Sequence, residues 1–218
     1  MSLKHSTLEM GERERQTLVP GEEVSAERFE RARHSGHGGT LPEPDATGGA
    51  VSGRVLASIP AAVTRMSGSF EAYTWQLLDD ADAGPISEDD WYAQETAVAM
   101  LARLQETVGP QVVERVGRFL PALLDWPHDV RTFTEALATV DDWYRTVHRD
   151  HAAVVAPSTG SASVELRLAT PYPTAFEDGL VRGLVLEFVT DGTSVWTTST
   201  TDSEGVTTYR FKLRTAID

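Results

Sequence analysis

Apolar and polar positions alternate most cleanly between Ala162 and Ala169, where Val164, Leu166 and Leu168 fall on one side and Glu165 and Arg167 on the other. That period of two predicts a strand with one buried face. A Thr170-Pro-Tyr-Pro173 corner follows, and beyond it the spacing changes. Phe176, Leu180, Leu184 and Phe188 form one stripe of a helix that Thr174 can cap. Gly179 and Gly183 leave a smooth strip on an adjacent face, suited to close approach of another backbone. Asp191-Gly192 is a turn and Thr193 to Thr200 a β-branched strand. Asp202 to Gly205 closes a hairpin, and Val206 to Arg214 returns with Thr207, Tyr209, Phe211 and Leu213 on one face. The last third is therefore expected to be a β-α-β-β unit whose helix lies across an antiparallel sheet.

Upstream, the pattern is mostly helical. Val51 to Ile59 alternates and predicts a strand, and Pro60 suits the first turn of a short helix to Met66. A second helix spans Ser69 to Leu78. Ser87-Glu-Asp-Asp90 is a helix-start signature, opening a helix to Val108 with Ala97, Val98, Leu101, Leu104 and Val108 on one face. Gly109-Pro110 stops it. Gln111 to Leu124 continues, with Pro121 as a kink, and Asp125 to Asp129 is a break. Val130 to Val147 is the most regular helix, with Val130, Phe133, Leu137, Val140, Tyr144 and Val147 at steps of three and four. Ala152 to Ser161 reads as a loop. The fold class is α+β, an N-terminal helical layer packed on a small antiparallel sheet.

Residues 1–50 look different. Mixed charge gives way to His34-Ser-Gly-His-Gly-Gly39 and further glycine and proline, with no periodicity. We expect a flexible tail there and a single domain over 51–218. His34 and His37 read as solvated loop residues.

Composition narrows the function classes. The formal net charge is -14, and of the 19 basic residues only Lys4 and Lys212 are lysines. Such a surface repels phosphate backbones and argues against nucleic acid as a partner. It also resembles the composition of proteins from salt-loving microbes. The absence of cysteine rules out disulfides, thiolate metal sites and a cysteine nucleophile. No run approaches the ~20 apolar residues of a membrane-spanning helix. The N-terminus lacks the apolar core of a signal peptide, so the expected location is the cytoplasm.

With its helices first, then the Pro-Tyr-Pro corner and Asp178-Gly-Leu-Val-Arg-Gly183, the chain resembles a broad superfamily. Its members include the vinyl-reductase-like domains and the haem nitric-oxide/oxygen-binding (H-NOX) sensor domains. The matching pieces are Asp90-Trp-Tyr92 opening a helix, Trp143 to Arg149 ending one, and the corner, within a span from Val51 to Leu213. The resemblance implies helices packed on a small antiparallel sheet, with a pocket between them for a small apolar molecule or a porphyrin. The metal-binding cysteines of some vinyl-reductase-like members have no counterpart here. The Tyr-x-Ser-x-Arg haem clamp of the H-NOX group is missing too. The resemblance therefore implies a fold and a pocket, and supports neither metal nor haem.

The chemistry-rich cluster is Asp141 to His151. His148 and His151, three apart, could present two nitrogens on one helix face, with Asp150 or Asp142 as carboxylate partner. A polar helix end explains the same residues, since histidines and basic groups suit free carbonyls. His148 or His128 could serve as a haem axial ligand, against the plainer reading of His128 as a loop residue. No nucleophile elbow or phosphate-cradling loop appears, so no catalytic residues are assigned. Aromatic residues are core by default. If a cavity lies between helices and sheet, the expected ligand-binding residues are Trp143, Tyr144, His148, Tyr172 and Phe176. The leading expectation is a non-enzymatic sensory or small-molecule-binding domain. A homodimeric scaffold, joined through an edge strand or the Gly179/Gly183 face, is the second reading. A metal-dependent hydrolase using His148, Asp150 and His151 is the third.

Overall fold

The computed structural model describes residues 49–66, 71–80, 85–150, 154–159, 164–189 and 193–215. Apart from its last two residues, the expected 1–50 tail lies outside them. In chain order the elements are β1 (Ala50–Ser52), α1 (Gly53–Met66), α2 (Glu71–Asp80), β2 (Trp91–Ala93), α3 (Gln94–Val108) and α4 (Pro110–Phe119). A 3-10 turn over Leu120–Ala122 leads to α5 (Phe133–Val147), β3 (His148–Arg149), β4 (Val154–Thr159), β5 (Val164–Ala169), α6 (Thr174–Phe188), β6 (Thr193–Thr201) and β7 (Thr207–Thr215). Two antiparallel sheets result, one ordered β2-β1-β3 and one ordered β4-β5-β7-β6. The protein is α+β, with the helices layered on the four-stranded sheet.

The large sheet is built as its alternation demands. Leu166 and Leu168 of β5 and Tyr209 and Phe211 of β7 are buried. Helix α5 packs over them, and Phe133 meets Phe211 edge-on at 5.0 Å. The Tyr209 hydroxyl donates to Asp178 at 2.8 Å and ties β7 to α6. Leu213, expected on the same inward face, is instead 39% exposed near the strand end. Helix α5 begins in a capping box: the Thr132 side chain accepts from the Glu135 amide, and Glu135 accepts from the amides of Arg131 and Thr132 at 2.9 Å each. These donors, the Arg131 amide foremost, hold the Glu135 carboxyl below its ordinary range.

Several expectations are corrected. Val51 to Ile59 is not a strand. Only Ala50–Ser52 is extended, and α1 takes over with Val55, Leu56, Ile59, Ala62 and Val63 buried at helical spacing. A short apolar run satisfies both periods, and packing against the helical layer chooses between them. Pro60 sits inside α1, and its carbonyl accepts from the Thr64 hydroxyl at 2.8 Å. Ser87 caps no helix. It closes a turn with Asp90, and Asp90-Trp-Tyr92 leads into strand β2, paired with β1 through Val51↔Tyr92 and Ser52↔Trp91. Thr174 is the first helical residue of α6, whose cap position is Pro173 with no side-chain hydrogen bond. The supposed loop at 152–161 contains β4, an edge strand. There Pro157, which lacks an amide donor, is tolerated.

The Gly179/Gly183 strip is covered within the chain. A methyl group at Gly179 would strike the Glu114 carbonyl of α4, and one at Gly183 would strike the Arg118 carbonyl. One at Gly117 of α4 would strike the Phe176 carbonyl of α6. Close approach of a second backbone is thus the reason for these glycines, and this face is not available to a second copy.

Candidate functional site

Between α5, β5 and α6 lies an apolar cavity of about 30 Å³. All five residues expected to bind a ligand line it. Trp143 and Tyr144 come from α5, His148 from β3, Tyr172 from the corner after β5, and Phe176 from α6. Leu166, Leu168, Val140 and Leu180 complete the apolar wall. The local sequence explains the convergence. Steps of three and four put Val140, Trp143, Tyr144 and Val147 on the inward face of α5. The helix stops at Val147, so His148 turns inward as a strand residue opposite Val51. The Pro171-Tyr172-Pro173 corner then drops Tyr172 onto it.

His148 and Tyr172 are both buried, with 6% and 7% exposure. Their Nε2···Oη separation is 2.7 Å, and the other ring nitrogen of His148 lies 3.2 Å from the Tyr144 carbonyl. A carbonyl only accepts, so Nδ1 carries the proton and Nε2 accepts from the Tyr172 hydroxyl. The Tyr144 ring stacks on His148 at 3.8 Å. Gln94, fully buried on α3, donates to the Tyr144 hydroxyl at 3.3 Å. Burial pushes both phenols well above their ordinary range, so both stay protonated as donors.

A carboxyl completes the lining. Glu177 is buried in the first turn of α6 and accepts from the Thr170 hydroxyl at 2.6 Å, while Thr170 accepts from the Tyr172 amide at 3.3 Å. Burial raises the Glu177 pKa above its ordinary value. Sequence reasoning missed Gln94, Thr170 and Glu177. Glu177 looks like any first-turn acid, and only its depth distinguishes it. A polar Thr directly before Pro-Tyr-Pro was the available signal for Thr170.

Among the described residues the metal-ligand set is not assembled. His148 belongs to a strand and both its nitrogens are engaged, whereas Asp150 is exposed with a left-handed φ of 50°. Asp142 is exposed on α5, and His151 lies outside the described residues. Among the described residues no group of three or more His, Asp or Glu side chains could hold a metal. His128 is exposed in the loop before α5, away from the cavity. Beside it, Trp126 stacks on Trp143 at 4.4 Å and closes that side of the core.

No protein-family model and no curated protein matches the sequence. Comparison with solved structures gives a clear relation in fold. An H-NOX protein from S. oneidensis in the Fe(II)NO state aligns over 75% of this chain and 99% of its own, with TM-score 0.59 and 16% identity. An oxygen-binding H-NOX domain related to soluble guanylate cyclases aligns over 77% of this chain and 97% of its own, with TM-score 0.54 and 12% identity. The H-NOX domain from Shewanella oneidensis in the Fe(II)CO state gives 0.57 and 14%, over 75% of this chain and 98% of its own. The protein has an H-NOX-like fold, and identities this low establish the fold alone.

The residues do not fit a haem. Ligand pockets measure roughly 300–1,000 Å³, whereas this cavity has about 30 Å³. Among the described residues, the histidine that lines it, His148, offers Nε2 to the Tyr172 hydroxyl, and the aromatic rings of Trp143, Tyr144, Tyr172 and Phe176 crowd around it. Among the described residues, no helix is long and apolar enough to cross a membrane.

Proposed function

We propose that this protein is a non-enzymatic sensory domain that admits a small, largely apolar molecule to the cavity between α5, β5 and α6. The observation that supports this most is the convergence of Trp143, Tyr144, His148, Tyr172 and Phe176 on one apolar cavity. They do so in a fold shared with H-NOX domains. A volume of about 30 Å³ corresponds to two or three water-sized spheres of about 10–15 Å³ each. A guest of a few heavy atoms enters without rearrangement, and a larger one must displace Tyr172 or Trp143. Displacing Tyr172 breaks its bond to His148, a residue of the small β2-β1-β3 sheet. Occupancy by a guest that displaces Tyr172 is thereby coupled to the order of that sheet. A ligand favouring the displaced form shifts the population toward it.

Xenon under pressure is a suitable probe. We expect methyl resonances of Val140, Leu166, Leu168 and Leu180 to shift saturably, and Val140→Phe to abolish the response by filling the space. Absence of any saturable shift in the folded wild type would sink the proposal.

A second reading has its own support. The outward face of the large sheet carries exposed Arg167, Arg210, Lys212 and Arg214 on a chain of net charge -14. Among the described residues of that face Glu165 is the acid that answers them, pairing with Arg210 at 2.7 Å. Such a face favours self-association with an acidic surface of a second copy. Light scattering at low and high salt tests it: a dimer dissolved by salt supports association, and a strict monomer at both counts against it.

A further inference from the structure

The two edges of the large sheet are built differently. Edge strand β4 carries Pro157, which has no amide to offer a further strand. Edge strand β6 runs for nine residues, Thr193–Thr201, with no proline, glycine or charge among them, and its register with β7 is unbroken. The Asp202 amide donates to the Val206 carbonyl at 3.1 Å, in step with that register. Bonded and non-bonded pairs alternate from there. The amides and carbonyls of Thr193, Val195, Thr197, Ser199 and Thr201 therefore point away from β7, and no described backbone group takes them up.

Charge says what kind of strand fits there. On the next strand, Lys212 and Arg214 are exposed on the outward face, and no described carboxylate lies within ion-pair distance of either. Their neighbours across the register are Trp196 and Ser194, and Thr198 stands beside Arg210. The serine and threonine are too short to screen the cations behind them. A strand added to β6 would lie about 10 Å from β7, a gap that an extended arginine or lysine and a glutamate side chain span together. We propose that β6 receives an extended acidic segment of a partner protein as a fifth strand of this sheet, its acidic residues at alternate positions toward Lys212 and Arg214. A second β6, laid antiparallel about a two-fold axis through the sheet, would instead bring the cations of both copies onto one face, like charge beside like. The proposal is independent of the inner cavity, and it differs from self-association because it requires an unfolded strand and not a folded acidic surface.

Fluorescence anisotropy with the full chain tests it. The probe is a labelled octapeptide of alternating glutamate and valine, and the control replaces each glutamate by lysine. The acidic peptide binds at millimolar concentration or below, the basic one does not, and the affinity falls with added salt. Methylating the glutamate amides or the valine amides distinguishes strand pairing from simple charge attraction, because only one set can face β6. One methylated peptide loses binding and the other keeps it. Ser199→Pro removes one outward amide and leaves the β6–β7 bonds in place, so the protein stays folded and binds the peptide roughly fivefold more weakly or worse. The double variant Lys212→Glu/Arg214→Glu, at exposed positions, weakens binding roughly tenfold or more. Failure of the acidic peptide to bind overturns the proposal, as follows if a segment of the same chain already covers the edge. So does equal binding of the basic peptide, indifference to both methylations, or unchanged affinity in the double variant. A wild-type dimer that Ser199→Pro dissolves would put a second copy on this edge and overturn it as well.

Discussion

Helix α6 has two sides built on opposite principles. Toward α4, glycines remove side chains altogether, and carbonyls of each helix sit where a methyl group would otherwise be. Toward α5 and β5, large side chains stop short of one another and leave a cavity whose lining includes a histidine, a tyrosine and a carboxyl group. The first side has no room to adjust, so it fixes the position of α6. The second has slack, and its polar groups depend on one another for partners. A fold can thus hold a responsive interior by anchoring its framework on the opposite face of the same helix.

The largest expected effect lies on the anchored side. Gly179→Val forces apart α4 and α6 and should cost about 4 kcal/mol in chemical denaturation, at the exceptional end for a single change. A loss below about 1 kcal/mol would show that the contact yields and that the contrast is false.

On the responsive side, Tyr172→Phe keeps the ring but removes the donor to His148 Nε2. Leaving that buried nitrogen unmatched should cost about 2 kcal/mol. A double-mutant cycle with His148→Ala should show the two losses to be strongly non-additive, and simple addition would break the pairing.

Thr132→Ala removes one half of the capping box of α5, far from the glycine contact. Its cost should be about 1 kcal/mol. It serves as a local reference for both sides, because it should leave cavity resonances unshifted.

The smallest effect at neutral pH has the opposite sign. Folded Glu177 keeps its proton to higher pH than it would unfolded, where its ordinary value is 4.5. The wild type therefore loses stability as pH rises from that value through the raised one, because it must then bury a charge. Glu177→Gln should gain on the wild type with rising pH in denaturation midpoints. Glu135 acts in reverse: its lowered pKa contributes stability that is present above its ordinary value and lost as pH falls through the depressed one. A pH-independent difference between Glu177→Gln and wild type would contradict the burial assigned to that carboxyl.

Long, strongly periodic elements were legible from sequence. Ala162 to Ala169, Val130 to Val147 and the helix after the corner carry enough repeats for one period to dominate, and strand and helices form there over Val164–Ala169, Phe133–Val147 and Thr174–Phe188. The Gly179/Gly183 spacing announced a backbone contact, and α4 supplies it. Val51 to Ile59 failed because its apolar residues suit both periods. Strands β1, β2 and β3 have three, three and two residues, too few to show any period, and they exist through pairing alone. At the site, Trp143, Tyr144, His148, Tyr172 and Phe176 were named together and line one cavity. The bond between His148 and Tyr172, 24 positions apart, depends on how the corner and the end of α5 meet in space, and that meeting is not encoded by any local pattern. Gln94 and Glu177 stayed hidden because depth of burial is a tertiary property.

The central claim is that an H-NOX-like fold here holds an aromatic-lined cavity of about 30 Å³, too small for a porphyrin. Titration of the purified full chain with haemin, followed by absorbance, bears on it most directly. The account predicts no saturable one-to-one complex and no difference between wild type and His148→Ala. A stoichiometric complex with a sharp, ligated haem spectrum that disappears in His148→Ala would contradict it.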